Sequence, residues 1–371
     1  MKPRTRTAGL TLVELVIALG LLALMMLLVI QVFDRALATW RTAETKRSVM
    51  EAASVATELV TDDLRGIEGG PRGDFVLEWV MFDTNGDGVR ETKWPRLRLV
   101  RQASGGEVAR VQRDMRLAVE RKSAGSDGEV VKVETASPSQ LEVVWMLAPS
   151  STSDKDARSV GILWRGERLV TDPASKSFFD ANFFGGSNLP PAGATSEVTG
   201  GVLWMSVLLA SQTTNVRDGW KLARESTGAA TSWDAWTKDR PNASMHPWNE
   251  RASGVPAAKN RPVLPRRARI ELEIERPVDR SRRTRTLEGV DNQGVVLVVD
   301  DAQRIPLGEN VFILLDAEWM KVASVDGRRV VVERGARGTT PVPHEKDALV
   351  HHGMRMTTEV TIAAFREDWR L

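Results

Sequence analysis

The longest apolar run in the chain covers residues 10–33, and between Arg6 and Asp34 a single charge, Glu14, interrupts it. About 20 apolar residues cross a bilayer as a helix, so this run is long enough to span. Residues 34–65 then contain no proline or glycine. Trp40, Ala43, Val49, Ala53, Ala56, Val60 and Leu64 recur there at helical spacing, with Arg41, Glu44, Lys46, Arg47, Glu58 and Asp62 between them. That periodicity predicts an amphipathic helix continuing the apolar run. Gly66, Gly69, Gly70 and Pro71 are its stop signal.

Short strand-like runs follow at 75–82, 96–101, 108–120, 130–134 and 140–147, separated by turns rich in Gly, Asp, Asn and Ser. Further strands are predicted at 161–170, 202–210 and 269–275. Residues 172–201 read as a loop, and 219–265 as irregular chain carrying Trp220, Trp233, Trp236 and Trp248. From 287 to 351 the texture changes to close-set β runs at 295–299, 311–315, 319–325 and 329–333, with Asp326-Gly327 as a tight hairpin turn. Alternation returns at 354–365. Residues 287–351 thus read as an insertion between two strands, 269–275 and 354–365, that pair with each other. Loop-closure cost grows slowly with length, so such an insertion is tolerable. The expected fold class is α+β: a long N-terminal helix, its first half transmembrane, packed on an antiparallel β-sheet head with an inserted small β module.

With 371 residues, the chain has room for two domains of moderate size besides the helix. The formal net charge of +2 gives no whole-chain attraction to nucleic acid. Cysteine is absent, which excludes disulfides, thiolate catalysis and Cys-based zinc sites. Lys2, Arg4 and Arg6 precede the apolar run, and positive flanks stay in the cytoplasm. The expectation is a single pass of a bacterial inner membrane, with everything after Phe33 in the periplasm. No nucleophile motif, phosphate loop or paired-His zinc signature is present, so no enzyme is expected.

Asp83-Thr84-Asn85-Gly86-Asp87-Gly88 matches the first half of a calcium loop, with alternating oxygen side chains and a glycine at the sharp turn. Trp94 stands where the twelfth-position acid belongs, and Glu91 offers a substitute at the ninth. Asp83, Asn85, Asp87 and Glu91 are the candidate ligands for calcium, the one cofactor considered. The competing reading is a polar hairpin turn. His344, His351 and His352 read as surface residues, since adjacent histidines on a strand point to opposite faces. Arg266, Arg267, Arg269, Arg280, Arg282, Arg283 and Arg285 form a basic cluster, but Asp279, Glu271, Glu273 and Glu275 interleave it. With few aromatics to stack bases, no nucleic-acid partner is expected.

Glu14 needs its own account. A carboxylate within a membrane helix costs roughly 2.5–3.5 kcal/mol on insertion scales, so it is usually there for a partner. Gly9-Leu10-Thr11-Leu12-Val13-Glu14, behind its basic leader, resembles the N-terminal signature of type IV prepilins and type II secretion pseudopilins. The resemblance implies cleavage by a prepilin peptidase between Gly9 and Leu10 and N-methylation of Leu10. Glu14 becomes the fifth mature residue and meets the freed amine of a neighbouring subunit. It also implies a pilin-like fold: leader 1–9, helix 10–66 with 10–33 in the membrane, a periplasmic head at 67–286 and 352–371, and the insertion at 287–351. Asp62-Asp63-Leu64-Arg65-Gly66-Ile67, and Trp233-Asp234-Ala235-Trp236 ahead of Pro265, resemble the J class of minor pseudopilins. That class implies I- and K-type minor pseudopilins and the major pseudopilin as partners, and a place at the pseudopilus tip. The W-type minor pilin of type IV pili is the alternative. Glu318-Trp319-Met320, Arg334-Gly335-Ala336-Arg337-Gly338-Thr339-Thr340 and His344 resemble a small β module of phage structural proteins.

Overall fold

Helical periodicity runs unbroken into α1, Leu12–Arg65, which is 54 residues long. The structure, a computed structural model, describes residues 12–69, 73–84, 88–122, 139–149, 160–171, 176–180, 183–186, 188–189, 193–210, 232–235, 264–275 and 284–363. The chain divides into two units, Met1–Met50 and Glu51–Leu371. In the first, the large apolar side chains from Leu12 to Phe33 are 48–79% exposed.

In the second unit, α1 changes character. Ala53, Ala56, Val60 and Leu64 form a buried stripe at helical spacing. Asp63, beside that stripe, is buried as well. Its Oδ2 accepts from Trp145 Nε1 at 2.8 Å, and its two oxygens accept from Arg165 Nε and Nη2, both at 2.9 Å. Arg101 Nε lies 2.9 Å from Oδ1. One carboxylate on the last helical turn thus fixes three strands.

Those strands belong to an eight-stranded antiparallel sheet. Its members are β1 (Phe75–Phe82), β2 (Thr92–Ala103), β3 (Ser139–Pro149), β4 (Gly161–Leu169), β5 (Ser196–Ala210), β6 (Trp233–Asp234), β7 (Arg267–Glu275) and β13 (Gly353–Thr361). The order across the sheet is β13-β7-β5-β4-β3-β2-β1-β6. In β3 every residue from Leu141 to Ala148 is buried, so both faces of the central strand are covered. The sheet curls: β4, β3 and β2 separate β5 from β1, yet the Trp204 and Trp79 rings lie 6.1 Å apart.

Between β7 and β13 the chain builds a second sheet, in the order β12-β9-β10-β11-β8. Its strands are β8 (Val296–Val298), β9 (Phe312–Leu315), β10 (Glu318–Asp326), β11 (Arg329–Ala336) and β12 (Val350–His351). Leu297, Val299, Ile313, Leu315, Met320, Val330 and Val350 are among its own core. Asp326 pairs with Arg329, leaving a two-residue hairpin loop with Gly327 at φ 59°. β7 and β13 run side by side from Arg267↔Thr361 to Glu275↔Gly353, the pairing predicted for 269–275 with 354–365.

Three expectations are corrected. The predicted pilin-like α+β fold, a long helix packed on an antiparallel β-sheet head with an inserted small β module, is not what the chain adopts. The described residues are mostly antiparallel β, in sheets of eight and five strands, with three helices. The physical reason is twofold. The apolar first part of α1 leaves its side chains exposed within a unit of its own, and the strands are long, up to 15 residues in β5. The strand predicted at 108–120 is instead part of a helix, α2 (Gly105–Lys122). Ser104 and Glu107 form a capping box: Glu107 Oε2 accepts from Ser104 N at 2.9 Å, and Ser104 Oγ accepts from Glu107 N at 3.4 Å. Finally, His344 and His351 are buried rather than on the surface. The strand predicted at 130–134 lies outside the described residues.

Candidate functional site

The chemistry-bearing residues fall in three places. The first is the apolar helix. Among the described residues one helix segment, Leu12–Arg41, is long and apolar enough to cross a membrane. Glu14 stands in its first described turn and is exposed. Gly9 and Leu10 lie outside the described residues.

The second is the β1–β2 connection. Asp83 Oδ2 accepts from Gly88 N at 3.0 Å, so this carboxylate caps the turn. Glu91 N donates to Phe82 O at 3.2 Å, and the hydroxyls of Thr84 and Thr92 lie 2.6 Å apart. These bonds give the turn a structural role for Asp83. Asn85 and Asp87, the other candidate calcium ligands, lie outside the described residues. Among the described residues no group of three or more His, Asp or Glu side chains is arranged to hold a metal ion.

The third is the module between β7 and β13. Glu318 opens β10 and is fully buried. Its carboxylate accepts from Arg334 Nε at 2.8 Å and Nη2 at 2.7 Å, and from the backbone amides of Gly335 and Val342, both at 3.0 Å. His344 bridges Glu318 and Asp316, with Nε2 3.0 Å from Glu318 Oε2 and Nδ1 2.6 Å from Asp316 Oδ2. Burial pushes the Glu318 carboxyl up, but Arg334, His344 and the two amides outweigh it and bring it down to about 2. Burial alone would lower the His344 pKa; Asp316 and Glu318 outweigh it and raise it. Nearby, Thr339 Oγ1 accepts from Trp319 N at 3.0 Å, and Gly335 and Gly338 take positive φ of 66° and 79°. Glu318, Arg334, Gly335 and His344 of the sequence motif are therefore one polar network centred on the buried Glu318, and Thr339 separately ties the loop after β11 to Trp319 and Ala336.

That loop presents Arg337 to the eight-stranded sheet. The carboxylates at alternate positions of β7 share a face, and each meets a nitrogen-bearing side chain. Glu271 accepts from Arg355 Nη2 at 2.6 Å, Glu273 from Arg337 Nη2 at 2.6 Å, and Glu275 Oε1 lies 2.9 Å from His351 Nδ1. Two of those partners, Arg337 and His351, come from the module. The Arg337 guanidinium also lies 4.0 Å from the Trp319 ring centre, 4.4 Å from Phe312 and 4.9 Å from Trp204. Burial pulls the Arg337 pKa below its ordinary value, with Glu273 opposing. The box opens on a cleft of about 860 Å³ whose lining includes Trp79, Lys93, Arg269 and Arg355. Trp319 and Arg337 belong to one sequence motif, but nothing in the spacing of the chain brings Glu273 to them.

Of the basic cluster, Arg269 lies 3.6 Å from Glu359, and Arg285 Nη1 donates to Asp347 O at 2.7 Å. Arg280, Arg282 and Arg283 lie outside the described residues. Comparison with protein-family models, with characterised proteins and with solved structures finds no match.

Proposed function

We propose that this chain is a non-enzymatic, membrane-anchored subunit of a type II secretion pseudopilus, one of the minor pseudopilins. The observation that carries the reading is the N-terminal segment. An apolar helix with its large side chains at least 48% exposed from Leu12 to Phe33 carries one acid, Glu14, behind a leader with Lys2, Arg4 and Arg6. Such a surface is stable in lipid or among other apolar helices. A prepilin peptidase removes 1–9, Leu10 is methylated, and the new amine of one subunit neutralises Glu14 of the next. Two opposite charges in a poor dielectric are tolerable together and costly apart. The N-terminus then faces the cytoplasm, the β-rich unit lies in the periplasm, and the contacts are with the other pseudopilins.

Mass spectrometry of the mature chain from the native host tests the processing step. A methylated N-terminal Leu10 supports the reading; a chain that still begins with Met1 sinks it. Glu14→Leu should leave the chain in the inner membrane but abolish its incorporation into filaments. A deletion strain that loses pili while still exporting protein moves the assignment to a type IV pilus minor pilin.

A further inference from the structure

We propose that Trp204, Phe312, Trp319 and Glu273 form a guanidinium receptor, filled in cis by Arg337, that latches the module of residues 284–351 onto the eight-stranded sheet.

The receptor is split. Trp204 and Glu273 come from β5 and β7, whereas Phe312, Trp319 and Arg337 come from the module. It is complete only when the module is seated. Whatever occupies it therefore favours the seated state by its differential affinity. An exposed ion pair would contribute little, but the Arg337 and Glu273 side chains are only 8% and 5% exposed. Arg337 Nη1 is buried with no hydrogen-bond partner among the described residues. That nitrogen is left to the ring faces, which attract a planar, weakly hydrated cation. The Glu273 carboxylate is also tied to the strand that leaves the module, since Gly353 N donates to its Oε1 at 3.2 Å. A neighbouring apolar cluster, Val160, Leu203, Leu314 and Trp319, covers part of the same junction. It gives area without direction; the fork of Arg337 sets the orientation.

The test is chemical rescue in the full chain, kept in detergent and read by hydrogen exchange. In Arg337→Ala the amides of β9, β10 and Trp204 should exchange about tenfold faster or more, the factor that 1.4 kcal/mol commands. The amides of β2 and β3 should not change. Millimolar methylguanidinium, entering from the cleft, should restore the slow rates, and methylammonium or sodium chloride at equal ionic strength should not. Glu273→Gln should reproduce the local acceleration without rescue. Unchanged exchange in Arg337→Ala overturns the latch, as does recovery with any salt. Acceleration that spreads to β2 and β3 in both variants overturns it too, because the box would then be part of one indivisible core.

Discussion

Trp145 Nε1 donates to Asp63 Oδ2 at 2.8 Å, a bond between the middle of β3 and the last turn of α1. Arg101 and Arg165 converge on the same carboxylate at 2.9 Å. Breaking a buried charge cluster by removing one member leaves the others uncompensated and costs about 3–5 kcal/mol. Asp63→Ala should lower the urea midpoint of the detergent-solubilised chain accordingly, followed by tryptophan fluorescence. Asp63→Asn should fall between, since it keeps the indole bond but loses the charge.

The Glu318–His344 pair gives the module a pH window. The Glu318 pKa is lowered from 4.5 to about 2, so its stabilising effect is present above 4.5 and lost as pH falls toward 2. The His344 pKa is raised above 6.5, so its contribution is complete below 6.5 and lost as pH rises through the higher folded value. Resistance of β9–β11 to hydrogen exchange, corrected for intrinsic rate, should therefore be greatest between 4.5 and 6.5. His344→Gln should remove the alkaline limb and leave the acid limb in place.

Where the chain leaves the module, Gly353 admits no side chain. A Cβ there would sit 2.7 Å from Glu273 Cγ and 2.9 Å from Ile274 O. Gly353→Val should destabilise the β7–β13 pair by roughly 1–3 kcal/mol, the usual cost of overpacking. Faster exchange at Ile274 and Met354 would show it, and an unaltered melting curve would contradict it.

The capping box of α2 is open to a smaller test. Arg101 draws the Glu107 pKa down to about 2, and Ser104 adds to that effect. Ser104→Ala should cost about 0.5–2 kcal/mol of local stability. The change should appear as faster exchange at Val108 and Val111 with β3 untouched.

That same box is a local signal. Ser104-Gly105-Gly106-Glu107 is a helix start in plain sequence, although the turn-rich segments flanking Val108 and Val111 favour a strand there. Of the apolar positions at helical spacing, Val49, Ala53, Ala56, Val60 and Leu64 are buried, since spacing sets which side chains share a face, whereas Trp40 and Ala43 are exposed. Adjacent strand histidines point to opposite faces, which predicts His344 and His351 at the surface; their carboxylate partners, Asp316, Glu318 and Glu275, come from elsewhere in the chain and bury them. The pilin-like α+β expectation fails for a related reason. Strand positions are local, but the number of strands that join one sheet is not.

By itself the sequence determined the apolar span, the amphipathic continuation of α1, most strand positions and the hairpin turn at Asp326-Gly327. These follow from patterns repeated within a few residues. Only the tertiary structure decided which buried carboxylate meets which cation. Arg165 reaches Asp63 across 102 positions, and Arg337 reaches Glu273 across 64. A buried charge is tolerated where distant strands deliver its counter-charge, and that delivery depends on the packing of whole sheets rather than on any local pattern.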